Sequence, residues 1–350
     1  MQTRLPLLLG LRGNRLDDEV RAWMRERGVP AGFLLFARNI ESPEQVAALA
    51  DELAEACGFR PLIAVDQEGG RVQRLHFAGR LPPARQLGDW YAVAPEAALE
   101  ATFLHGFLLA SELRAVGANW VLGPVLDLAL PQTHQIIGDR AFAAQPERVV
   151  TLAKAWADGV RAGGCLRCIK HAPGHGRAVA DSHAELPIVA ASADELLHDM
   201  APFAALAPQV ESVMTAHIRY PALDNEVATY SGKIMNMMRQ EWGFEGLVLA
   251  DDVGMKALDG DYSARITRAL QAGCDVAIAA LSQVQAGMAG TLFAQNDWAT
   301  LRDADIPTMQ GASLARLDAL EIPQPPAPEQ VAEMRARFLR LWADGPRRMG

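Results

Sequence analysis

Short apolar runs alternate with helical stretches along the whole chain, and this alternation limits the fold more than any other feature of the sequence. Eight candidate strands stand at 7–11, 32–36, 62–66, 120–122, 166–171, 212–217, 247–251 and 276–280. Helical patterns lie between them, at 17–28, 42–57, 96–116, 146–162, 193–206, 233–241 and 264–272. Ser42 with Glu44 opens one helix, and Gly117, Gly163 and Gly273 follow the ends of others. Strands that are apolar nearly throughout belong to a parallel sheet covered on both faces, and eight βα units are the number that closes a barrel. The expected fold is α/β, a single (β/α)₈ TIM-type barrel with a C-terminal helical extension; a doubly wound open sheet is the structural runner-up. Residues 1–350 are expected to form one catalytic domain. Pro323, Pro325, Pro326 and Pro328 favour an extended connection, so 322–350 reads as a linker and a helix, 329–341, packed back on the barrel.

Composition narrows the class of function. Of 350 residues half are hydrophobic and 21% charged, which excludes a disordered chain. With 33 Lys+Arg against 42 Asp+Glu the net charge is −9, and no basic block interrupts it, so no nucleic-acid partner is expected. The apolar start at 5–11 is far shorter than the ~20 residues of a membrane span. Arg12, Arg15 and an acidic helix start at Asp17 follow it, rather than a small-residue cleavage pattern. It reads as the first buried strand, and a cytoplasmic monomer with no membrane association is expected. Four cysteines, Cys57, Cys165, Cys168 and Cys274, are too few for a disulfide framework in a chain this long. Cys165 and Cys168 are spaced C-x-x-C, but a three-residue offset in a strand puts them on opposite faces, against a shared redox or zinc site.

Polar residues gather where the candidate strands end. Asp66 ends the third, Asp127 follows the fourth, Lys170 and His171 end the fifth, His217 the sixth and Asp251 the seventh. A single such Asp reads most simply as a helix cap. Five strands ending this way outline a polar pocket on the face where barrels of this type carry their active sites. The densest segment, Lys170-His-Ala-Pro-Gly-His-Gly-Arg-Ala-Val-Ala-Asp-Ser-His183, holds three of the eight histidines. Pro173 and Gly174 exclude the helix that would bring His171 and His175 to one metal. The Asp181-x-His183 pair in a loop instead reads as a general acid/base oriented by a carboxylate.

Five blocks occur in order: Asp66-Gln-Glu-Gly-Gly-Arg-Val-Gln-Arg74, Gly123-Pro-Val-Leu-Asp127, Gly138-Asp-Arg-Ala-Phe142, Lys170-His-x-Pro-Gly-His-Gly with Asp181-Ser-His183, and Asp251-Asp-x-x-Met255. Together they resemble the bacterial family 3 glycoside hydrolases of the NagZ-type β-N-acetylglucosaminidases. The resemblance implies a barrel enzyme that removes β-linked N-acetylglucosamine from the non-reducing end of a glycan. The implied substrate is a cell-wall fragment, GlcNAc on 1,6-anhydro-N-acetylmuramic acid with or without peptide, in peptidoglycan recycling. Matched position by position, Asp251 takes the place of the catalytic nucleophile, His183 that of the acid/base and Asp181 that of its support. Asp66, Arg74, Arg140, Lys170 and His171 match the residues that bind the sugar. No metal and no cofactor are implied, and the partner is a small glycan or muropeptide. Ala172 stands where the family often has Phe, and Ala250 where it often has Ser.

The chemistry agrees, because glycoside hydrolysis needs a carboxylate below the anomeric carbon and a proton donor at the leaving oxygen. Asp251 suits the first task if it shares the inward alternation of Leu247 and Leu249, which would turn Asp252 away. Taken alone, the residues leave other readings open. A metallohydrolase would use His171, His175, His183, His217 and Asp251. Lys170 at a strand end has the position of a Schiff-base lysine. A glycan-binding protein without activity would be expected to lack Asp251 or His183, and both are present.

Overall fold

Alternation along the strands sorts the apolar side chains between two cores. The computed structural model describes residues 3–182, 185–281 and 297–345. Its strands are β1 (Arg4–Gly10), β2 (Val29–Leu35), β3 (Leu62–Val65), β4 (Trp120–Val121), β5 (Leu166–Ala172), β6 (Ser212–Thr215), β7 (Leu247–Ala250) and β8 (Val276–Ala279). Each pairs in parallel with the next in the chain, and β8 returns to β1, so the sheet closes into a barrel as expected. Leu8, Leu34, Ala64, Trp120, Leu166, Cys168, Met214, Leu249 and Ile278 belong to the cluster that fills its interior. Their chain neighbours, among them Leu7, Leu9, Phe33, Ile63, Ile169, Val213 and Val248, join the larger cluster shared with the helices. All four cysteines are free and buried, Cys165 in the outer cluster and Cys168 in the inner one, on opposite faces as the spacing requires.

The helices of the outer layer are α1 (Asp18–Arg27), α2 (Pro43–Cys57), α3 (Ala84–Tyr91), α4 (Pro95–Ala115), α5 (Pro146–Ala162), α6 (Ala193–Leu206), α7 (Gly232–Asn236) and α8 (Tyr262–Ala272). Asp17, Ser42, Ser192 and Asp261 cap four of them by accepting the N–H three residues on. α4 and α5 approach so closely that a Cβ on Gly159 would lie 2.0 Å from the Phe103 carbonyl oxygen. The expected helix 233–241 is instead α7 followed by a wide π turn, Met237–Glu241. The widened turn brings Arg239 onto the carbonyl oxygens of Phe244 and Gly246 and onto Asp275 at 2.6 Å.

Three further helices follow, α9 (Asp297–Asp303), α10 (Gly311–Asp318) and α11 (Pro328–Asp344). Met309 and Leu317 enter the interior cluster, so the chain around α10 closes the end of the barrel where the strands begin. Asp275, 1% exposed, holds it there. It accepts from Ser313 Oγ at 2.6 Å, Arg316 at 2.9 Å and the Val248 N–H at 2.8 Å, besides Arg239. α11 lies along α4, with Phe338 stacked on Trp342 and Trp342 edge-on to Trp90. With the strand-start end closed, the opposite end carries the open cavity. Among the described residues no helix is long and apolar enough to cross a membrane.

Candidate active site

Where the strands end, the inward positions that carried apolar side chains lower in the barrel now carry polar ones. Leu247 and Leu249 lie in the interior cluster, and Asp251, two residues further, lines a cavity of about 190 Å³ together with Leu34, Leu122, Met214 and Ile278 from the top of that cluster. Asp66, Arg74, Arg140, Lys170 and His171 line the same cavity. All five residues that the resemblance matches to sugar binding therefore share one space with Asp251, although 185 positions separate Asp66 from Asp251. His183 lies outside the described residues. Asp181 is half-buried in the segment that leads to it.

The walls are held by ion pairs that also set their charge. Lys170 Nζ, at the inward end of β5, donates to Asp66 Oδ1 and lies 2.7 Å from both that atom and Glu68 Oε1. Arg140, from the short helical turn Gly138–Arg140, meets Glu68 through two bonds of 2.8 Å. Burial by itself would raise Asp66 and Glu68, but Lys170 with Arg74 at the first, and Arg140 with Lys170 at the second, hold both below the ordinary carboxylate range. Burial would likewise discharge Lys170, and Asp66 and Glu68 outweigh it, so the ammonium is stabilised. Arg74 is placed by its backbone: Gln67 Oε1 accepts the N–H groups of Arg74 and Leu75 at 2.9 and 3.0 Å. Its guanidinium stands 3.9 Å from Asp66 Oδ2.

Two of the strand-end residues do something other than line the pocket. Asp127 is fully buried and gathers the segment after β5, accepting from His171 Nδ1 at 2.8 Å and from the His175 N–H at 2.6 Å. As a carboxylate it can only accept, so His171 Nδ1 carries the hydrogen. His217 is also buried, between Thr229 Oγ1 at 2.7 Å and the Asp252 carbonyl oxygen at 3.1 Å. His175 sits beside His171, and burial lowers its pKa to about 4. Asp252 is not turned away as expected: it lines the cavity beside Asp251, and its Oδ1 is tied into the turn by accepting the N–H groups of Gly254 at 3.0 Å and Ala280 at 3.1 Å, whereas Asp251 Oδ1 accepts the Asp252 N–H. Ala172 is fully buried and continues the sheet as far as Thr215.

Residues 5–304 match the glycosyl hydrolase family 3 N-terminal domain. The chain belongs to glycosyl hydrolase family 3. Within family 3 it is a glycoside hydrolase of the NagZ type, a β-N-acetylhexosaminidase. It is 41% identical over 278 residues to the β-hexosaminidase of Xylella fastidiosa strain M23, covering 78% of this chain and 82% of that one. It is 43% identical over 279 residues to the β-hexosaminidase of Alkalilimnicola ehrlichii, covering 78% and 80%. The crystal structure of NagZ from Neisseria gonorrhoeae in complex with N-trifluoroacetyl-D-glucosamine superposes with a TM-score of 0.83 at 31% identity, over 99% of both chains.

One member of this family 3 site escapes a reading of motifs. Glu68 lies inside the Asp66–Arg74 block, yet only the fold shows it gripping two cations from distant segments. Its signal in the sequence is charge balance, since two buried cations beside one Asp require a second carboxylate.

Proposed function

We propose that this family 3 enzyme is a retaining exo-β-N-acetylglucosaminidase that acts through a covalent glycosyl-enzyme on Asp251, with His183 as acid/base supported by Asp181. The observation that carries the reading is Asp251 on an inward position, facing one cavity with Asp66, Arg74, Arg140, Lys170 and His171. At about 190 Å³ the cavity is smaller than the ~300–1,000 Å³ of pockets for drug-sized ligands, in keeping with one sugar ring and an exo mode of cleavage. Its apolar lining suits the face of a pyranose, and its ion-paired groups suit hydroxyls. The gonococcal relative's complex with an N-acylated glucosamine supports the choice of amino sugar.

In the first step an Asp251 carboxylate oxygen bonds to the anomeric carbon as the glycosidic C–O bond breaks, and His183 delivers its proton to the leaving oxygen. In the second, water bonds to the same carbon, the bond to Asp251 breaks and His183 takes the water's proton. Two inversions give the β-anomer. The natural substrate we infer is GlcNAc-1,6-anhydro-MurNAc, with or without its peptide, released during cytoplasmic peptidoglycan recycling. The whole chain, α10 and α11 included, is taken as the catalytic unit and as a monomer.

The test is turnover of an aryl β-N-acetylglucosaminide beside the matching glucoside, with and without phosphate, and of the anhydro-disaccharide. Preference for the N-acetyl sugar, a β-anomer seen first by proton NMR and a fluoro-sugar adduct on Asp251 are expected. An α-anomer, or an adduct on Asp252, overturns the mechanism; activity on no substrate overturns the function.

A further inference from the structure

The structure assigns Glu68 as the positioning residue of the sugar subsite: one carboxylate behind the cavity wall holds Lys170 and Arg140 in register, so that both can serve the same sugar. The inference rests on the proposed glycosidase reading and goes beyond its residues. Asp66, Lys170 and Arg140 line the cavity, whereas Glu68, with 7% of its side chain exposed, stands outside the lining. It reaches the substrate only through the two cations.

The geometry leaves each cation a limited set of donors. Lys170 Nζ has three hydrogens; it donates one to Asp66 and lies 2.7 Å from Glu68 as well, so the two carboxylates together fix where the ammonium stands. Arg140 commits Nε and one terminal nitrogen to Glu68 at 2.8 Å and donates from the other to the Ile136 carbonyl oxygen at 3.1 Å. A planar guanidinium held at three points cannot swing. Without Glu68, Lys170 and Arg140 would be two like charges on one cavity wall, with Asp66 their nearest shared counter-charge. Asp66, Glu68 and Asp127 face the pair, with Arg74 facing Asp66 in turn, His175 stands near Arg140, and Arg71, Asp251, Asp252 and His171 line the same cavity.

Loss of the carboxylate therefore has two separable effects, displacement of the donors and easier discharge of Lys170. Glu68→Gln keeps the shape and removes the charge. It should lower kcat/KM for an aryl β-N-acetylglucosaminide by about 10²-fold, the scale of a small misplacement in an active site. KM should rise more than kcat falls, because the cations already hold the bound sugar before reaction. Glu68→Asp keeps the charge and withdraws it by one methylene, so it should recover much of the loss, leaving kcat/KM about tenfold below wild type. A residue that only stabilises the fold would lower the unfolding midpoint and leave the KM-to-kcat split unchanged.

Wild-type kcat/KM, or a loss that falls on kcat alone with KM unchanged, in Glu68→Gln overturns the assignment. If that variant does not fold, wild-type kcat/KM in Glu68→Asp overturns it instead. Both outcomes require an active wild-type enzyme. Lack of turnover by the wild type on every N-acetylglucosaminide is the different result that overturns the glycosidase reading, and this assignment with it.

Discussion

Replacing Asp127 by Asn changes one atom in a fully buried side chain and should reach the active site through His171. Asp127 now accepts from His171 Nδ1 at 2.8 Å, from the His175 N–H at 2.6 Å and from the His171 N–H at 3.3 Å. An asparagine can keep its oxygen toward the two backbone groups, which share Oδ1. Its amide nitrogen must then face His171 Nδ1 as a donor. The imidazole has to give up the Nδ1 hydrogen and carry it on Nε2, so the edge left for the cavity changes from acceptor to donor in the neutral ring. What is lost is one hydrogen bond to a charged group, about 1.5–3 kcal/mol, together with the tautomer it selects. If that energy is realised in the transition state, kcat/KM for an aryl β-N-acetylglucosaminide falls about 10- to 10²-fold.

Stability should fall by a similar amount, with a pH dependence that identifies the cause. Burial would raise the Asp127 pKa, but His171 and His175 hold it below the usual carboxylate range. A carboxylate depressed in the folded state contributes stability that is present above its unfolded value, near ~3.9, and is lost as pH falls through the folded value. The gap between wild type and Asp127→Asn in urea unfolding should be full at neutral pH and narrow in acid. Unchanged kcat/KM in a variant that folds would refute the argument, since it would mean that His171 needs neither the charge nor the tautomer.

His183→Ala should slow cleavage of a natural disaccharide by about 10²–10⁴-fold, while an activated aryl glycoside gives a burst of phenol and then slow turnover; equal slowing of both pre-steady-state phases would remove the acid role. Asp181→Ala should give a milder form of the same pattern. Dialysis against a strong chelator should leave the rate unchanged, and a loss restored by zinc would favour a metallohydrolase. Asp275→Ala should cost about 3–5 kcal/mol in urea unfolding, because Arg239 and Arg316 lose the carboxylate they share at the base of the barrel; a change within the ~0.5 kcal/mol of ordinary surface substitutions would refute that role.

The barrel was legible because its signal is local. A period of two along 247–251 places Leu247, Leu249 and Asp251 on one face wherever the strand ends up, and a three-residue offset separates Cys165 from Cys168 in any sheet. The start of α2 was legible for the same reason, since Ser42 bonds to its own helix. The turn at 237–241 was not, because its width answers to Asp275, a residue from another segment.

The site divides along the same line. Which residues bear chemistry could be read from their types, their strand-end positions and the ordered blocks they occupy. Which of them face the cavity could not: Asp66, Lys170, His171 and Asp251 do, while Asp127 and His217 turn inward to hold backbone and side chains of neighbouring segments. Glu68 meets Arg140 across 72 positions, and Lys170 meets Asp66 across 104. Pairing at such separations depends on where the closed sheet sets each strand end, to within the length of a hydrogen bond. Sequence determined the parity of the strands and the inventory of charges; only the tertiary structure decided which charges neutralise one another and which remain to meet a sugar, because electrostatic partners are chosen by distance in space and no local pattern encodes it.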